Sequence, residues 1–190
     1  MGRRSAGLRE VFEDGLQRAG RSARWRAVGV ALAALSLAPG CGGAQLDGNV
    51  YRGDDVAFRV GPIPDSWRAI DAGTDAELAF RDDQTQTTVA VNGRCGKDAD
   101  DVPLQALTHH LFLHFTDRQV KDQREVPLDG RAALRTEILA KLDGVPKKFT
   151  VYVLKKDGCV YDFMLIADPP GSEVAERSFE RFVGGFSTLS

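Results

Sequence analysis

Three evenly spaced Asp-Gly dipeptides in the second half of this chain constrain it more than any other feature. Asp129-Gly130, Asp143-Gly144 and Asp157-Gly158 each set a residue that tolerates positive φ beside one that adopts it freely, the chemistry of a tight hairpin turn. The segments they join read as strands. From Arg131 to Leu142, Leu134, Thr136, Ile138, Ala140 and Leu142 share one face, with Arg131, Arg135, Glu137 and Lys141 mostly on the other. Period two with a charged outer face predicts an antiparallel strand half open to water. Strands at 149–155 and Cys159–Ala167 follow, and one near 120–126 precedes. Lys147-Lys148 and Lys155-Lys156 flank the 149–155 strand, which suits protection of a sheet edge.

Upstream, Val56-Ala57-Phe58-Arg59-Val60 reads as a first strand that runs into Gly61-Pro62-Ile63-Pro64-Asp65-Ser66-Trp67, an extended turn plugged by Trp67. Residues 77–81 and 87–92 read as a hairpin. A helix opens near Pro103, its buried face marked by Leu104, Leu107, Leu111 and Phe115, with Asp100 and Asp101 just before the positive helix end. Pro169-Pro170 stops the last strand. Ser172 can cap a closing helix striped by Ala175, Phe179, Phe182 and Phe186. The order β-β-β-α-β-β-β-β-α predicts an α+β fold, an antiparallel sheet of six to seven strands with two main helices.

The first 40 residues have a different character. Arg18, Arg21, Arg24 and Arg26 precede an apolar run from Ala27 to Leu37, too short to span a bilayer and about the length of a signal-peptide core. Leu37-Ala38-Pro39-Gly40-Cys41 resembles the lipobox of bacterial lipoproteins, although Leu37 stands one place further from the cysteine than is usual. The resemblance implies cleavage before Cys41 and attachment of acyl chains such as palmitate to that cysteine. The expected organisation is a signal peptide at 1–40, a lipidated flexible tether at 41–50 and one globular domain at 51–190. Gly42 is not the aspartate that retains enterobacterial lipoproteins in the inner membrane, so the outer membrane is the expected site.

Without its first 40 residues the chain holds 18 basic and 24 acidic residues. That balance argues against a nucleic-acid partner and against electrostatic adhesion to anionic lipid. The chain has three cysteines, an odd count for an exported protein. With Cys41 lipidated, Cys95 and Cys159 remain as a pair in an oxidising compartment, where a disulfide would add roughly 4 kcal/mol. Two buried thiols are the alternative.

The Phe58 strand, the Pro62-to-Trp67 turn, the Leu104-to-Phe115 helix, the Leu128-Asp129-Gly130 turn and the closing Phe179-to-Phe186 helix together resemble the PsbP/DcrB-like family. That superfamily also includes a nuclear-transport Ran-binding factor and mycobacterial cell-wall lipoproteins. The resemblance covers most of residues 51–189 and implies an α/β/α sandwich. Its members act mostly as binding or assembly factors, so function does not transfer with the fold.

Chemistry-bearing motifs are sparse. His109-His110-Leu111-Phe112-Leu113-His114 puts His110 and His114 four apart on the expected helix, a spacing that can aim two imidazoles at one metal. A third ligand is lacking, so both read first as solvated boundary residues. Asp98, Asp100 and Asp101 form an acidic loop without the ligand spacing of an EF-hand. Hydrolase elbows, zincin helices, C-x-x-C pairs and phosphate loops are missing from the sequence. The expectation is therefore a non-enzymatic envelope lipoprotein that needs no cofactor and binds another envelope protein. One alternative is a binder of small apolar or lipid ligands, with a cavity lined by Phe112, Phe149 and Phe163. Another is a metal-binding or enzymatic module on the His109–His114 segment.

Overall fold

Among the described residues, eleven strands and two helices follow one another as β1 (Gln45–Asp47), β2 (Val50–Arg52), β3 (Ala57–Arg59), β4 (Trp67–Ala69), β5 (Leu78–Asp82), β6 (Thr87–Cys95), α1 (Leu104–Leu111), β7 (Thr116–Leu128), β8 (Arg131–Leu142), β9 (Val145–Lys156), β10 (Cys159–Ala167), α2 (Glu173–Gly184) and β11 (Ser187–Thr188). This computed structural model describes residues 44–73, 76–96 and 102–189. Cys41, the basic and apolar segment before it, and Asp98, Asp100 and Asp101 lie outside the described residues. Part of the expected tether is strand, because β1 pairs with β2 antiparallel.

The main sheet has seven strands in the order β4-β5-β6-β10-β9-β8-β7, and a small sheet runs β1-β2-β3-β11. From β7 to β10 the chain is a meander turned by the three Asp-Gly pairs, whose φ angles lie between 46° and 82°. These are the left-handed angles that a two-residue hairpin turn requires. The fold is α+β, as the sequence predicts.

Both faces of the main sheet are covered. On one side Leu107 and Phe112 pack with Ile138, Phe149, Val151, Val153 and Val160. On the other, Phe179, Phe182 and Phe186 of the closing segment join Phe58, Trp67, Phe80, Tyr152, Leu154 and Phe163. Trp67 fills its expected role, its ring 5.7 Å from Phe80 and 5.3 Å from Phe182. Phe179 and Phe182 are fully buried, which stabilises the domain by roughly 1.5–3 kcal/mol for each side chain. Ser172 caps α2, its hydroxyl accepting from the Ala175 amide at 3.3 Å.

Two expectations about charge fail. The charged face of β8 is closed to water at Arg135, though Arg131 stays exposed, and β9 is not an edge, since it lies between β10 and β8. Arg135 is only 5% exposed. It donates to Asp122 at 3.3 Å and to Glu180 of α2 at 3.5 Å. Lys148 donates to Glu176 of α2 at 2.6 Å and lies 3.3 Å from Glu137. Sequence alternation reveals which residues share a face, but not that α2 will lie over it. The paired lysines lie within β9 and tie it to neighbouring elements, Lys156 reaching Asp129 at 2.6 Å and Lys147 pairing with Asp168.

Asp129 joins the two sheets. Its Oδ2 accepts from Lys156 at 2.6 Å, from the Thr188 amide at 2.9 Å and from the Thr188 hydroxyl at 3.3 Å. Burial pushes its carboxyl up, but the Lys156 and Thr188 contacts outweigh that and hold it below the usual carboxylate range.

A close approach of two glycines sets where α2 ends. Gly61 donates its amide to the Phe182 carbonyl at 2.7 Å. A Cβ at Gly61 would lie 2.1 Å from the Arg181 carbonyl oxygen, and one at Gly185 would lie 2.4 Å from Gly61 Cα. Gly61→Ala is expected to cost roughly 1–3 kcal/mol in urea denaturation. Gly184→Ala, where nothing lies within 4 Å, should leave the midpoint near wild type. Equal midpoints for the two variants would contradict this packing.

Candidate functional site

The histidine segment does not make the arrangement its spacing suggested. α1 stops at Leu111, because Phe112 and Leu113 turn their amides to His109 at 3.1 Å and His110 at 3.3 Å in tight i−3 bonds. His114 lies past the helix end, so the four-residue spacing no longer aims it beside His110. His109 instead approaches Arg118, Nε2 to Nη1 at 3.4 Å. Among the described residues no group of three or more His, Cys, Asp or Glu side chains is placed to hold a metal ion. The helical expectation for His110 and His114 is thereby corrected.

His110 does face a cavity. About 360 Å³ opens between α1 and the ends of β6 and β10, lined by Arg94, Cys95, Gly96, Val102, Leu107, His110 and Val160. Its wall carries the disulfide joining Cys95 to Cys159, directly opposite residues of β6 and β10 with Cα atoms 4.0 Å apart. Cys159 is 8% exposed, whereas Cys95 is open to solvent.

Beside this cavity lies a buried carboxylate. Asp162 follows Val160 on the α1 side of β10 and is 2% exposed. Asn92, directly opposite it in the β6–β10 ladder, donates to it at 3.3 Å, and Arg94, opposite Val160, reaches it diagonally at 2.9 Å. Burial pushes its carboxyl up, and the Arg94 charge and the two hydrogen bonds offset only part of that. The sequence carries a signal for it, because Asp162 interrupts the apolar alternation of Val160, Met164 and Ile166. A smaller polar recess of about 300 Å³ near the start of β5 contains Tyr51, whose hydroxyl bonds Glu77. Burial and the neighbouring carboxylate push that phenol up.

The cavity expected among Phe112, Phe149 and Phe163 does not form. Phe112 and Phe149 stack edge to face on the α1 side, with ring centres 5.3 Å apart, whereas Phe163 belongs to the α2 side. The sheet itself separates them. Apolar surface shows elsewhere: Leu113 is 51% exposed, Val120 59% and Val145 51%. Leu113 follows α1, Val120 pairs with Ile138 of the α1-side core, and Val145 shares the α1-side parity of Phe149 on β9. All three therefore belong to one side of the sheet.

No protein-family profile matches this chain, and no curated protein matches it by sequence. Solved structures do. The cyanobacterial PsbP protein CyanoP of Synechocystis sp. PCC 6803 aligns with TM-score 0.54 and 13% identity, over 70% of this chain and 86% of its own. LpqN of Mycobacterium tuberculosis, involved in cell envelope biogenesis, aligns with TM-score 0.51 and 15% identity, over 73% of this chain and 87% of its own. The chain thus has a PsbP-like α+β fold. At these identities the likeness is one of fold.

Two stability outcomes follow. Replacing Cys95 and Cys159 together by serine should cost up to roughly 4 kcal/mol, since the bridge closes a separation of 64 residues. Guanidinium midpoints with and without reductant measure it, and unchanged midpoints would count against the bridge. The folded carboxyl of Asp162 titrates above its unfolded value, so its contribution is fully present below the unfolded pKa and is lost as pH rises through the folded one. Asp162→Asn should therefore gain on wild type between mildly acidic and neutral pH. A gap that widens toward acid instead would reverse the assignment.

Proposed function

We propose that this chain is a non-enzymatic envelope lipoprotein, anchored through acylated Cys41, that binds another envelope protein. The observation that carries the binding half is the exposure of Leu113, Val120 and Val145 on the α1 side of the sheet. Three of the four large apolar side chains exposed among the described residues lie on that side, which suits a protein contact there. The fold it shares with LpqN, an envelope biogenesis protein, supports the same reading. For the anchor, the support is the basic-then-apolar leader and the small residues before Cys41. Among the described residues no helix is long and apolar enough to cross a membrane. Gly42 supports outer-membrane sorting.

A second reading, uptake of a small apolar ligand, draws support from the 360 Å³ cavity and its Val102, Leu107 and Val160 walls.

Photo-cross-linking in intact cells tests the first reading. A photoreactive residue placed at Leu113 or Val145 should give a discrete adduct, and one at Val174 on α2, which is 59% exposed, should give none. Equal labelling at all three positions would refute a specific α1-side contact. In the same cells Cys41→Ser should move the protein from the membrane to the soluble fraction, and a variant that stayed membrane-bound would refute the anchor.

A further inference from the structure

Among the described residues β7 is an edge of the main sheet, paired with β8 on one side only. Its thirteen residues are exposed almost throughout. Within it, Lys121-Asp122-Gln123-Arg124-Glu125 is its own complement when reversed. Cation then meets carboxylate at Lys121 with Glu125 and at Asp122 with Arg124, and Gln123 meets Gln123.

The backbone phase agrees with that centre. Leu128 and Arg131 face each other across Asp129-Gly130, and a two-residue turn of this kind is closed by a hydrogen-bonded pair. Counting back by twos, Val126 and Arg124 direct their amide and carbonyl groups to β8. Glu125 and Gln123 direct theirs outward. A two-fold axis through Glu125 would set that carboxylate against itself, and one through Arg124 would need backbone groups already used by β8. Gln123 is outward and neutral. The regular stretch runs from Asp122 to Val126: Pro127, which has no N–H to donate, ends it on one side, and on the other Lys121 is the extra residue of a bulge, so its charge stands at the rim of the ladder.

We propose that two copies of this chain pair antiparallel through β7, centred on Gln123, and so join their main sheets across a two-fold axis. Asp122 and Arg124 lie on the α2 side, opposite Glu137 and Arg135, and Arg124 already donates to Asp122 within its own strand. In the pair each Arg124 also faces the Asp122 of the second copy. The ladder is short, so the association is weak, concentration-dependent and lowered by salt.

Sedimentation velocity of the full chain in detergent, over a concentration series, should show a monomer–dimer equilibrium. Lys121→Glu and Glu125→Lys each set like charges opposite one another, and should lower the association constant at least about tenfold. Both positions are exposed, and Lys121 bonds only to the Gln119 side chain at 3.0 Å, so thermal unfolding should stay at wild type. Mixing the two variants should restore dimers, because each then carries the charge the other lacks. The double variant K121E/E125K should dimerise by itself. A wild-type chain that stays monomeric up to about 1 mM would overturn the proposal, its charges and bulge then guarding the edge. Dimers that survive in both single variants would overturn it as well, by placing the interface elsewhere.

Discussion

Phe149, Val151 and Val153 leave β9 on one side, Tyr152 and Leu154 on the other, and all are buried. β10 repeats the pattern with Val160 facing α1 and Tyr161, Phe163 and Leu165 facing α2. A strand apolar on both faces is stable only with cover on both, which here comes from α1 on one side and from α2 with the small sheet on the other. The charge network follows from this. Once α2 lies over β8 and β9, Arg135 and Lys148 lose water and need the carboxylates of Glu137, Glu176 and Glu180.

Several ties converge at one end of the domain. The 129–130 and 157–158 turns, the Cys95–Cys159 bridge and β11 all meet there, and Asp129 links the first turn to Lys156 and Thr188. The bridge, which spans 64 residues, restricts the unfolded chain as well, whereas the Asp129 contacts act only in the folded one. The surfaces available to ligands or partners border that anchored frame: the cavity beneath α1 next to the bridge, and the strand β7 at the far edge of the sheet.

The candidate site shows why residue spacing alone misleads here. His110 and His114 have helical spacing, but helical spacing has meaning only while the helix lasts, and α1 ends at Leu111. Phe112 takes the buried position where the chain leaves the helix, packing on Phe115 and Phe149. His110 is left to line a cavity and His114 to stand in the following turn. Asp162 is the converse case, a group with an evident sequence signal whose burial depends on β6 and α1, elements remote in the chain.

Local chemistry in the sequence was enough to determine the α+β class, the three Asp-Gly turns, the Ser172 cap and the Phe179-to-Phe186 stripe, and counting cysteines put a Cys95–Cys159 pair ahead of two buried thiols. Each of these depends on neighbours along the chain or on counting cysteines, and such signals survive without knowledge of what packs where. Only the tertiary structure decided that β9 is central, that the charged face of β8 lies beneath α2, that Phe163 is cut off from Phe112 and Phe149, and that β7 is the open edge. Those outcomes turn on which element covers which face, a long-range choice made by burial of both sides of one sheet.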